Sequence, residues 1–165
     1  MGKFYREENY PTPDTHKLTT ENGDYHQALC VSYAFLDDAD AVLGIKPEPL
    51  FAYSMTDAVQ GMCFREGEIY LSTSYGLSFS GIYGYDTSKL TEKEITLSGV
   101  TMPLYSLDSA ALIKSIKAAP MSEEIEFVDG KLYIMCESAS NKYIFGKFTS
   151  SKWCYATDVD AYKES

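Results

Sequence analysis

The sequence predicts an all-β fold of β-propeller type, and three observations predict it. Apolar and polar residues alternate with period two over much of the chain, which is the strand period. Aromatic residues reach 14%, led by 14 Tyr and 8 Phe, and such side chains suit half-buried pleated surfaces better than helices. A strand–turn–strand unit also recurs at a fixed spacing, as it does in repeat architectures.

In chain order the alternation predicts strands over Ala28–Leu36, Leu50–Ser54, Val59–Arg65, Ile69–Ser74, Ile82–Asp86 and Glu94–Leu97. It continues over Leu104–Asp108, Ala111–Ile116, Ile125–Val128, Leu132–Glu137 and Trp153–Thr157. Ile69 and Leu71 share one face of their strand, while Tyr70 and Ser72 share the other. Leu132, Ile134 and Cys136 alternate in the same way with Tyr133, Met135 and Glu137. Turn signals separate the runs: Arg65-Glu66-Gly67, Asp129-Gly130 and the Pro47–Pro49 pair. Ser109–Ala119 is the best helix candidate, although Leu112, Ile113 and Ile116 also fit a short strand.

The repeat is read by aligning VQGMCFREGEIYLSTS, from Val59, with MSEEIEFVDGKLYIMCE, from Met121. Gly67 meets Gly130 at an offset of 63 residues, and at that offset Phe64 meets Phe127, Ile69 meets Leu132, Tyr70 meets Tyr133 and Leu71 meets Ile134. Two tightly joined antiparallel strands are the inner half of a propeller blade. Blade repeats run about 40–50 residues, so the longer spacing implies an insertion, placed within Tyr75–Gly84 or Ser98–Met102. The strands suffice for roughly two to three blades, with blade-like repeats near 59–108 and 121–160, whereas a closed ring needs about four or more. Bare blade faces are avoided. The chain therefore reads as one all-β domain, or as a propeller fragment completed by missing N-terminal blades or by self-association. A β-sandwich is the alternative.

Composition narrows the partners. Hydrophobic residues at 45% suffice for a packed core. A net charge of −10, from 24 acidic against 14 basic residues, opposes binding to nucleic acid. No apolar run approaches the roughly 18–20 residues of a membrane span. The start, MGKFYREENY, has no apolar signal region, so an extracellular or cell-surface location would require a signal peptide that these residues lack. Cys30, Cys63, Cys136 and Cys154 form no CxxC pair and have no His at zinc spacing, which favours four buried free thiols.

The segments ENYPTPDTHKLTTENGDYHQAL, DAVQGMCFREGEIYLSTSYG and PMSEEIEFVDGKLYIMCESASNKYIFGKF resemble a poorly characterised bacterial β-propeller family. The resemblance covers most of Tyr10 to Phe148 and is most specific at Cys136–Tyr143. It implies that this chain matches the C-terminal portion of larger proteins, with a strand near Phe4. It implies no activity that can be carried over residue by residue.

In a propeller, sites form where the inner strand ends converge. The repeat places Ser72–Gly76 and Met135–Tyr143 at that edge. Ser74 corresponds to Glu137, and Tyr75 to Ser138. Ser74, Tyr75, Glu137, Asn141, Lys142 and Tyr143 together offer hydroxyls, an acceptor, an amide, a cation and aromatic platforms, a set suited to a small polar molecule, a glycan or a peptide. The competing reading is a solvated or internally paired loop. His16 and His26 are the only histidines, and with Glu137 they form a low-ranked metal set for a divalent cation such as calcium. Loop histidines bonded to backbone explain them more simply. Glu124 and Glu126 share a strand face and read as an edge guard, while adjacent Glu123 and Glu124 cannot face one another as a glycosidase pair. The sequence has no GxSxG, HExxH, P-loop, GxGxxG or EF-hand pattern. The favoured expectation is a non-catalytic binding module without a cofactor. The alternative is a metal-dependent propeller hydrolase or lactonase.

Overall fold

A computed structural model describes residues 12–36, 44–140, 143 and 153–162. The strand expected near Phe4 lies outside them. The described residues hold thirteen strands, four short 3-10 turns and no α-helix, so the chain is all-β. In order these are β1 (Leu18–Thr19), β2 (Tyr25–His26), β3 (Ala28–Phe35), β4 (Ile45–Met55), β5 (Val59–Arg65), β6 (Glu68–Thr73) and β7 (Ser80–Asp86). They continue with β8 (Thr91–Leu97), β9 (Val100–Ser106), β10 (Leu112–Ala118), β11 (Ser122–Val128), β12 (Lys131–Cys136) and β13 (Cys154–Thr157). No helix among the described residues is long and apolar enough to cross a membrane.

These residues fall into two compact units, drawn from Met1–Asp57 with Leu90–Ala110 and from Ala58–Lys89 with Ala111–Ser165. The first contains the β1–β2 pair and a four-stranded sheet in the order β3-β4-β9-β8. Its core is Leu29, Ala52, Met102 and Leu104, the inward set of three neighbouring strands. On the opposite face, Phe51 packs edge-on against Tyr53 and Tyr105, with ring centroids 5.3 and 5.7 Å apart. β4 and β9 run parallel over Ala52–Ser54, which departs from the expected antiparallel pattern. Pro47 and Pro49 lie inside β4 and do not form a turn. Proline lacks the N–H that a two-sided ladder needs, and here β4 is paired only with β3.

The second unit contains a sheet in the order β10-β7-β6-β5 and another in the order β11-β12-β13. All their pairs are antiparallel. Ser109–Ala119 resolves into a turn and β10, with no helix. Of the two places where an insertion was expected, Tyr75–Gly84 runs into β7 and Ser98–Met102 lies in the β8–β9 hairpin, which turns on Ser98 and Gly99 at φ 51° and 84° and pairs within the first unit.

The two sheets of the second unit repeat one another in detail. Val59 pairs with Thr73 and Ser122 with Cys136, and in both hairpins a bulge follows immediately. Ala58 and Met121 precede the hairpins at φ 58° and 59°. Their carbonyls accept hydrogen bonds from the N–H groups of Ser74 and Glu137, at 3.1 and 2.9 Å. The third strands correspond at an offset of 72 residues, from Asp86 to Asp158, because the second copy has nine more residues before its third strand. Each copy then ends in a 3-10 turn capped by that aspartate: Asp86 Oδ1 accepts from the Ser88 N–H, and Asp158 Oδ1 from the Asp160 N–H.

One face of the four-stranded sheet packs on the three-stranded sheet through Cys63, Tyr70, Ile82 and Ile116 against Ile125, Leu132, Ile134 and Cys136. Tyr70 meets Phe127 edge-on at 5.0 Å. All four cysteines are free, but only Cys63 and Cys136 are buried. Cys30 is half-buried and Cys154 is exposed, which corrects the expectation of four buried thiols. Cys154 stands on the solvent-facing side of β13, so the packing argument does not reach it.

Candidate functional site

The loop edge singled out by the repeat belongs to the second unit and begins at the last hydrogen bond of each hairpin. In the first copy Ser74 is buried and its N–H is held by Ala58, while Tyr75 is exposed. In the second copy Glu137 starts a 3-10 turn whose carbonyl accepts from the Ser140 N–H at 2.9 Å. Tyr143 returns over that turn, and its hydroxyl donates to Glu137 Oε1 at 3.2 Å. Asn141 and Lys142 lie outside the described residues.

Glu123 on β11, absent from the set expected from sequence, belongs to this site. Burial raises the pKa of its carboxyl, and the neighbouring Glu137 carboxylate raises it further. A bulge between Ser122 and Ile125 lies at this point of β11. A signal was nonetheless present. At the 63-residue offset Gln60 becomes Glu123 and Ser74 becomes Glu137, so two positions at one hairpin end acquire carboxylates together.

Beside these acids lies a buried hydroxyl cluster. Ser72 and Ser122 share a hydrogen bond of 2.6 Å, and the Ser122 N–H donates to Ser80 Oγ at 3.0 Å. These bonds tie β6, β7 and β11 at the end from which the loops emerge. The close approach also depends on Gly61, where an added Cβ would lie 2.5 Å from the Glu123 carbonyl oxygen. The arrangement presents carboxylate acceptors and a tyrosine ring on a rigid base.

The histidines lie in the first unit and Glu137 in the second. His26 is buried with Nδ1 2.7 Å from Ser54 Oγ, and burial lowers its pKa against the opposing pull of Asp24 and Asp108. His16 closes a 3-10 turn whose first residue, Asp14, pairs with Lys17. Among the described residues, no group of three or more His, Cys, Asp or Glu side chains is placed to hold a metal ion. Glu124 and Glu126 accept hydrogen bonds from the N–H groups of Ile125 and Phe127 on β11, at the edge of its sheet. Comparison with family models, curated proteins and solved structures returns no match.

Proposed function

We propose that this chain is a non-catalytic binding module of β-propeller type whose ligand is a glycan seated against Glu123, Glu137 and Tyr143. The observation that carries the proposal is the joining of Glu137 to Tyr143, with Glu123 beside it, at the edge where two equivalent hairpins end. A sugar supplies hydroxyl donors for the carboxylates and an apolar C–H face for the ring.

Stacked blades are favoured over a β-sandwich by strand order within the second unit. The order β5-β6-β7-β10, followed by a chain that starts the next sheet at β11, is the blade order. Kinship with the bacterial propeller family belongs to the same proposal.

A glycan array tests it with wild type, Glu137→Gln and Tyr143→Phe. Each variant is expected to lose about tenfold in affinity for whichever glycans the wild type binds, at unchanged melting temperature, because Glu137→Gln removes a charged acceptor and Tyr143→Phe removes the hydroxyl that holds that carboxylate in place. Equal signals from all three proteins would remove the site. Binding confined to Lys- or Arg-rich peptides on a parallel array would replace the glycan with a peptide.

A further inference from the structure

The second unit also contains an open cleft of about 540 Å³, within the roughly 300–1,000 Å³ usual for small-molecule sites. Its apolar lining includes Ile116 and Ala118 of β10, Ala119 just beyond, and Ile134 of β12. Small alanine side chains leave this space unfilled. The lining also includes Phe79 and Lys117, whose ammonium lies 3.9 Å from the Phe79 ring centroid. Lys117 makes no ion pair among the described residues, although the chain carries 24 acidic residues against 14 basic ones. A ring face satisfies the positive charge only in part and leaves N–H donors for another partner.

We propose that this cleft binds an aliphatic carboxylate of medium chain length, with its hydrocarbon body along Ile116, Ala118 and Ile134 and its carboxylate against Lys117. Charge complementarity selects the head group, since an ammonium beside an apolar cleft discriminates an anion from a neutral molecule of the same shape. The site uses neither Glu137 nor Tyr143, so its fate is separate from that of the glycan site.

Isothermal titration with sodium decanoate and with 1-decanol, both below their aggregation limits, provides the test. Decanoate is expected to bind saturably at one molecule per chain and about tenfold more tightly than decanol. Lys117→Met should abolish that preference without shifting the melting temperature, and Ala118→Leu should weaken both probes by filling the floor. Non-saturating uptake, equal affinities in the wild type, or a preference that survives in Lys117→Met would overturn the proposal. If Ala118→Leu fails to fold, the decanoate-to-decanol ratio in the wild type and in Lys117→Met still decides the matter.

Discussion

Gly61 sits where the backbone of Glu123, Glu124 and Ile125 closes on β5, within 2.5 to 3.0 Å of where a Cβ would stand. Every nearby atom is backbone, so no side chain can swing aside. Gly61→Ala is expected to cost about 1–3 kcal/mol and to lower the melting temperature by several degrees in a calorimetric scan. His26 makes a different residue-scale prediction. Its folded pKa is depressed by burial, so as pH falls below about 6.5 the unfolded chain takes up a proton that the folded chain resists. The stability contributed by neutral His26 is therefore present above that pH and is lost as pH falls through the unfolded value toward the folded one. Urea midpoints should drop between pH 7 and pH 5.5 in the wild type and drop less in His26→Gln, while a parallel decline in both would contradict the assignment. Asp24, whose carboxyl is held low by the Ser109 hydroxyl and N–H, acts in a separate window below about pH 4. Burial likewise pushes the Cys63 thiol up to about 12, so it is inert as a nucleophile near neutrality.

At the scale of the element, the repeated unit is a three-stranded meander closed by an Asp-capped turn, and Arg65 joins the two copies. Its guanidinium donates to both carboxylate oxygens of Asp160, at 2.8 and 3.0 Å, and to Glu68, and its Cζ lies 5.1 Å from the Phe127 centroid. The contact links the first hairpin to the closing turn of the second copy. Arg65→Met should destabilise by about 1 kcal/mol, and a double-mutant cycle with Asp160→Ala should show coupling of similar size. Additive effects would mean that the clasp is merely a surface contact. The hairpin turns were legible because Asp129-Gly130 and Glu66-Gly67 supply glycine where φ must be positive, at 76° and 72°. Pro47 and Pro49 do not by themselves place a turn, because proline marks a turn or a one-sided strand alike, and only pairing distinguishes them.

For the whole molecule, the chain leaves the second unit after Lys89, builds β8 and β9 into the sheet of the first, and returns at Ala111. The return point is adjacent to the departure: the Asp86 N–H donates to the Ala111 carbonyl at 2.8 Å. Replacing Leu90–Ala110 with a short Gly-Ser link should therefore preserve hydrogen-exchange protection in β5, β6, β7 and β10. β4 should lose protection along its β9 side. Collapse of protection in β6 would show that the second unit cannot stand without the β8–β9 hairpin.

The sequence by itself determined the strand content, the 63-residue hairpin repeat, its turn glycines and the loop edge carrying Glu137 and Tyr143. These follow from side-chain periods and turn chemistry, which act over a few residues. Only the tertiary structure decided that β4 and β9 run parallel, that the β8–β9 hairpin joins the first unit's sheet, and that Glu123 stands beside Glu137. Such facts depend on which distant strands meet, and a local pattern does not encode that.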